Sequence, residues 1–148
     1  MPIKSGKEYI ERIDKQNINI WYKGERIEGP LSQHPAFQGL IETQADLYDM
    51  QCDACYLDRM TYPSPDTGEL VGLSFLPPRN AEDLQKRRIM MELWANRHHG
   101  FLGRSPDYMN TAIMALFTAA DILEEHNPQY ADNLRRYYAY CREHDITL

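Results

Sequence analysis

Ser105-Pro106-Asp107-Tyr108-Met109-Asn110-Thr111-Ala112-Ile113-Met114-Ala115-Leu116-Phe117-Thr118-Ala119-Ala120-Asp121-Ile122-Leu123-Glu124-Glu125 is the stretch whose reading decides the fold. Ser105 carries the acceptor of a helix cap. Pro106 suits the first helical position, where a missing N–H costs nothing, and Asp107 complements the positive end of the helix dipole. The spacing predicts one helix from Pro106 to about Glu125. Its apolar residues, from Met109 through Ile113 and Phe117 to Ile122, run nearly all round it, as expected of a buried central helix.

The flanking sequence supplies helices to pack around that centre. Asn80 can cap a helix with Glu82 and Asp83 in its first turn, and Leu84, Ile89, Met90, Leu93 and Trp94 give it an apolar stripe before Gly100. Asn127-Pro128 opens a last helix through Tyr130, Leu134, Tyr137, Tyr138 and Cys141. Nearer the start, Ser5 and Glu8 have capping-box spacing, which predicts a short helix through Asp14. Ile20-Trp21-Tyr22 and Glu25-Arg26-Ile27 flank Lys23-Gly24 as the arms of a hairpin. His34-Pro35 is read as the start of a helix from Pro35 to about Gln51. Beyond it, Leu57 to Tyr62 and Val71 to Leu76 are read as a second hairpin, bent at Pro63-Ser64-Pro65-Asp66-Thr67-Gly68. The fold class is therefore mainly α, a helical domain around a buried central helix with two small β-hairpins, spanning residues 1–148.

A length of 148 residues and 43% apolar content suit one domain with a real core. The net charge of −6 repels phosphate backbones and anionic membrane surfaces. The densest basic run, Lys86-Arg87-Arg88, points three ways on a helix and is read as a solvated face, so nucleic acid is excluded as a partner. No apolar run approaches the ~20 residues of a membrane span, and Met1-Pro2-Ile3-Lys4-Ser5-Gly6-Lys7 lacks the apolar stretch of a signal peptide. No membrane partner and a cytoplasmic location are expected. The three cysteines, an odd number, suit a reducing compartment. Ten tyrosines, several near helix starts or in the last helix, suggest surface reserved for an interface, such as that of a homo-oligomer.

Chemistry concentrates at Gly103-Arg104-Ser105-Pro106-Asp107-Tyr108. A helix N-terminus and a fixed guanidinium together make a positive spot suited to an anion or a phenolate, and Tyr108 falls in the first turn beside it. Spacing alone leaves the plainer alternative open: a good cap, with Arg104 paired to a carboxylate. A rival constellation is Cys52-Asp53-Ala54-Cys55 with Cys141-Arg142-Glu143-His144, whose spacings zinc ligands use, although nothing in the sequence brings the pairs together. No metal is therefore expected. His98 and His99 are neighbours at a helix end, so their rings diverge, and a structural role is expected. Glu42 and Glu124-Glu125-His126 are read as solvent-facing.

Trp94-Ala95-Asn96-Arg97-His98-His99-Gly100-Phe101-Leu102-Gly103-Arg104-Ser105-Pro106-Asp107-Tyr108-Met109-Asn110 resembles the corresponding stretch of the family of the 4-hydroxyphenylacetate 3-monooxygenase large component, which also contains 4-hydroxybutyryl-CoA dehydratase. The resemblance continues in order through Ser5-Gly6-Lys7-Glu8-Tyr9-Ile10, Ile20-Trp21-Tyr22-Lys23-Gly24-Glu25, His34-Pro35-Ala36-Phe37, Leu47-Tyr48-Asp49, Leu73-Ser74-Phe75-Leu76-Pro77 and Asp83-Leu84 with Lys86-Arg87-Arg88. It implies that Arg104 and Tyr108 act catalytically as contacts to a phenolic substrate, with Ser105, Pro106 and Asp107 in the same substrate-binding turn. The implied reaction is ortho-hydroxylation of a phenolic acid such as 4-hydroxyphenylacetate with reduced FAD and O₂, the flavin coming from a separate flavin reductase. A phenol ionises near pH ~10, and a neighbouring guanidinium favours the phenolate, whose ortho carbon is the better nucleophile toward an electrophilic oxygen.

The family's members are much longer, with a β-rich middle domain and a C-terminal helical bundle that bind flavin. A substrate-contacting histidine is implied beyond Leu148, and His144 lies too early to replace it. Residues 1–148 are thus expected to be inactive alone, as a fragment, truncated product or split subunit, with no flavin-binding residue identifiable among them. The alternatives are the front domain of a flavin-dependent CoA-thioester dehydratase and a non-catalytic interaction domain, the latter with or without zinc.

Overall fold

A computed structural model describes residues 2–101 and 107–147. Its elements in chain order are α1 (Gly6–Lys15), β1 (Trp21–Tyr22), β2 (Glu25–Arg26), a 3₁₀ turn (Leu31–Gln33), α2 (Gln38–Cys52), α3 (Leu57–Met60), β3 (Thr61–Pro63), β4 (Leu70–Gly72), a second 3₁₀ turn (Leu73–Phe75), α4 (Ala81–Arg97), α5 (Asp107–Thr118), α6 (Asp121–Glu124) and α7 (Pro128–Glu143). The two strand pairs are antiparallel hairpins, with Tyr22 opposite Glu25 and Tyr62 opposite Val71. The mainly helical class with two small hairpins is as the sequence indicates.

The helix starts follow their caps. Ser5 and Glu8 form the reciprocal capping box on α1. Asn80 accepts from the Asp83 amide, and Asn127 accepts from the Gln129 amide with Pro128 in the first turn of α7. At Gly6 the chain meets α2 so closely that a Cβ would lie 2.4 Å from the Ala45 carbonyl oxygen. Its amide donates to Asp49 Oδ1 at 2.7 Å. Only glycine permits that approach.

Three elements differ from the sequence reading in their bounds, a helix, a hairpin and the central helix, each where a local bond competes. The predicted helix from Pro35 begins at Gln38: the His34 carbonyl accepts from both Phe37 and Gln38, which spends Pro35 in a turn. Tyr22, His34 and Phe37 pack edge-on around that turn. The predicted strand from Leu57 starts only at Thr61, because Leu57–Met60 closes one helical turn and the Thr61 hydroxyl bonds back to the Leu57 carbonyl at 2.6 Å. Its partner strand ends at Gly72 and coils into the turn Leu73–Phe75.

The third difference lies in the stretch that decides the fold. α5 ends at Thr118, whose hydroxyl caps the Ala115 carbonyl at 2.7 Å, and i→i+3 bonds carry the chain through Ala119 and Ala120 into α6. It is also buried on one face only. Asp107, Asn110, Ile113 and Met114 face inward. Tyr108, Met109 and Leu116 remain 53%, 42% and 58% exposed, so the apolar residues that the sequence places all round the helix form two faces, one packed and one open.

The core has two lobes joined at one turn. Leu47, Met50, Met60, Leu73, Met90 and Trp94 pack between α2, α3 and α4. Phe75, Ile113, Met114, Tyr138 and Cys141 pack between α5 and α7. Leu73 belongs to the first lobe and Phe75 to the second, so the turn Leu73–Phe75 is the hinge point of the packing, with Ser74 buried between them. Tyr138 seals the second lobe, its hydroxyl donating to the Phe75 carbonyl at 2.5 Å and its ring stacking on Phe117 at 4.1 Å.

Candidate functional site

Within the turn singled out by the sequence, Gly103, Arg104, Ser105 and Pro106 lie outside the described residues, while Asp107 and Tyr108 open α5. Asp107 turns inward and is 5% exposed, whereas Tyr108 turns outward. Successive residues of a helix differ by about 100° around its axis, which separates the two side chains.

Asp107 meets Arg87. The guanidinium, 4% exposed, donates through Nη2 to Asp107 Oδ1 at 3.3 Å and to Thr111 Oγ1 at 2.6 Å. Through Nη1 it donates to the carbonyls of Leu73, Ser74 and Leu76 at 3.2, 2.7 and 3.1 Å. This corrects the reading of Lys86-Arg87-Arg88 as a solvated face. Lys86 and Arg88 do stand in solvent, pairing with Glu82 and Glu92. Arg87, however, shares the inward stripe with Met90 and Trp94, three and seven residues on. That spacing is the sequence signal for it. Burial pushes the Asp107 carboxyl above its ordinary range, opposed by the Arg87 charge and the Thr111 hydroxyl.

A second polar layer lies behind the first turn of α5. Asn110 donates from Nδ2 to Ser74 Oγ at 3.0 Å, and both border a small cavity of about 10 Å³ that Gln44, Gln51 and Asp145 also reach. That volume is on the order of one water molecule. Asp145, just past α7, accepts from the Lys4 amide at 2.9 Å and from Gln51 Nε2. Arg12 donates to the carbonyls of His144 and Asp145, each at 3.1 Å, so α1, α2 and the exit of α7 are tied together.

Burial raises the Asp145 carboxyl to about 6, with the Lys4 amide and Gln51 opposing it. A folded-state pKa above the unfolded value means that the native state holds the extra proton between about pH 4 and about pH 6, so this group's contribution to stability falls as pH rises through that window. We expect Asp145→Asn to remove a dependence worth roughly 2–3 kcal/mol across it. Urea midpoints for wild type and variant at about pH 4 and about pH 7 check this; a stability difference that is the same at both would refute it.

The cysteine pairs do not converge. Cys141 is buried against Phe75 in the apolar lobe, while Cys52 and Cys55 are exposed. Partial burial of its sulfur and the carboxylates of Asp145, Asp49 and Glu8 push the Cys52 thiol up to about 11, away from the thiolate a metal needs. Among the described residues no three His, Cys, Asp or Glu side chains gather into a metal-binding group. His98 is buried at the end of α4 and His99 is exposed with a positive φ, so their rings do diverge. His144 caps α7 and stacks on Tyr140. Glu42 and Glu124 lie at the surface, the latter paired with Arg135.

The fold defines a mainly helical domain in which Asp107 and Tyr108 open α5, and comparison places it in a family. The chain belongs to the family described as 4-hydroxyphenylacetate 3-hydroxylase N terminal, which matches residues 5–148. It is 41% identical over its whole length to the 4-hydroxyphenylacetate 3-monooxygenase oxygenase component of Geobacillus sp., of which it covers 29%. It is 43% identical over 97% of its length to the Thermus thermophilus protein of the same description, covering 28% of that relative. A crystal structure of the oxygenase component of 4-hydroxyphenylacetate 3-monooxygenase complexed with FAD and 4-hydroxyphenylacetate superposes with a TM-score of 0.88 at 42% identity, over 97% of this chain and 29% of that one. The chain thus spans about three tenths of the length of the relatives it matches.

Proposed function

We propose that this domain forms one wall of the phenol site of a two-component, reduced-flavin-dependent monooxygenase that ortho-hydroxylates a phenolic acid such as 4-hydroxyphenylacetate. The observation that carries this reading is the start of α5, where Asp107 is locked inward by Arg87 and Tyr108 is presented outward, directly after Gly103-Arg104-Ser105-Pro106 in the sequence of a chain of this family. Arg104 supplies the positive charge that favours the phenolate, and the Tyr108 hydroxyl supplies a directed hydrogen bond to the same oxygen. Asp107, held by Arg87, fixes the start of α5 from behind.

The cavity beside α5, about 10 Å³, is far below the few hundred Å³ of a cofactor site, and the two larger hollows, about 550 and 440 Å³, are open clefts on the β1–β2 hairpin and along α1 that no residue of α5 lines. The flavin pocket in our reading is built by the parts of the relatives that this chain does not span, whether joined to it or contributed by another subunit, and residues 1–148 alone are inactive. A separate flavin reductase would deliver the reduced cofactor. The outward tyrosines of α7, Tyr130, Tyr137 and Tyr140, each about half exposed, support a homo-oligomer interface. No helix among the described residues is long and apolar enough to cross a membrane, and three unpaired thiols favour action in the reducing cytoplasm.

The test is a hybrid in which these 148 residues replace the matching front third of the Geobacillus relative. Supplied with reduced FAD, O₂ and 4-hydroxyphenylacetate, the folded hybrid should release the corresponding catechol. A folded hybrid that binds FAD yet leaves every phenolic acid unhydroxylated would overturn the assignment.

A further inference from the structure

We propose that Arg87 is a positioning residue for Tyr108: its grip on Asp107 and Thr111 fixes the direction in which that side chain leaves α5. The latch is read from geometry alone. Only its description as substrate positioning rests on the phenol-site reading above.

Three elements meet at this one side chain. Arg87 stands on α4, its Nη1 holds three carbonyls of the turn around Leu73–Phe75, and its Nη2 holds Asp107 and Thr111 on α5. Asp107 and Thr111 are four residues apart and therefore on one side of the helix, so both must break if α5 rotates. Asn110, bonded to Ser74 on the same turn, adds a third tie on that inner side. Tyr108 is about 100° away around the axis, so a helix fixed at Asp107 and Thr111 has Tyr108 fixed outward.

The choice of partners argues for direction rather than simple charge balance. Of its five acceptors among the described residues only Asp107 carries a charge, and at 3.3 Å it is the longest of the contacts. Four neutral oxygens are held by the two terminal nitrogens of the planar fork, three by Nη1 and one by Nη2. A lysine would keep the cation and lose the fork. That difference makes the proposal testable without unfolding the domain.

Two variants separate positioning from stability. Arg87→Lys retains the charge, and Arg87→Met with Asp107→Leu removes both buried charges together, an exchange that folded domains tolerate. In the 148-residue chain, hydrogen exchange at the Asn110 and Thr111 amides should quicken about tenfold in both variants while α7 stays protected. A fluorotyrosine resonance assigned to Tyr108 should shift and broaden. In the hybrid oxygenase the KM for 4-hydroxyphenylacetate should rise about tenfold and more O₂ should be lost as hydrogen peroxide. Unchanged exchange and an unchanged Tyr108 resonance would overturn the latch. Altered exchange with wild-type KM and coupling would leave Arg87 purely structural and overturn the positioning role. If the unsubstituted hybrid makes no catechol, the functional reading fails, and the exchange and fluorine measurements still decide whether Arg87 sets the direction of Tyr108.

Discussion

Arg104→Met in the hybrid oxygenase should lower kcat/KM for 4-hydroxyphenylacetate by about two to three orders of magnitude, the loss of a charge-assisted contact that strengthens as the phenol ionises. Tyr108→Phe, which removes a neutral hydrogen bond from an otherwise intact ring, should cost only about tenfold. The pH dependence carries the sign of the argument. A guanidinium beside the phenol lowers its pKa, so the wild-type rate should level off well below the ~10 of a free phenol. Without Arg104 the rate should keep climbing toward alkaline pH as the unassisted phenol ionises. Steady-state kinetics across pH check both features, and a variant whose plateau does not move would remove Arg104 from the site.

The second large effect concerns the scaffold. Tyr138→Ala should destabilise the domain by about 4 kcal/mol, a large part of the total stability of a domain this size. Tyr138 is 1% exposed, stacks on Phe117, meets Phe75 edge-on and lies under the Arg142 guanidinium at 5.2 Å. Truncation opens the junction between α7, α5 and the turn Leu73–Phe75 at once. Tyr138→Phe keeps the ring and removes the hydroxyl that donates to the Phe75 carbonyl, so about 1–2 kcal/mol is expected. Urea unfolding separates the two; equal losses would mean that the hydroxyl rather than the packing holds the junction.

Much of the fold is legible in the sequence because it is written in local chemistry. Ser5 with Glu8, Asn80 and Asn127-Pro128 each satisfy amides within three residues of themselves, and each marks a helix start. The hairpin at Lys23-Gly24 is equally local, since both residues adopt positive φ. Where a boundary moves, a competing bond two to four residues away is responsible, as at His34, Thr61 and Thr118.

The interior of the site is less legible. Arg87 reads as a surface cation by composition, and only its place on the Met90–Trp94 stripe hints at burial. Asp145 gives no local sign at all, because its partners, Lys4 and Gln51, are 141 and 94 residues away. The one-sided burial of α5 is also invisible to periodicity, since apolar residues on both faces look alike whether they meet this domain or something outside it. Tyr108, Met109 and Leu116 on the open face agree with a wall that faces further protein and substrate.

The claim that this turn holds a phenol as its anion has a direct measurement: the ultraviolet difference spectrum of 4-hydroxyphenylacetate bound to the hybrid oxygenase without O₂, titrated with pH. Binding should bring out the phenolate band well below the ~10 at which the free phenol ionises, and Arg104→Met should abolish that shift. A bound phenol that ionises like the free acid, with the same spectrum in the variant, would contradict the assignment.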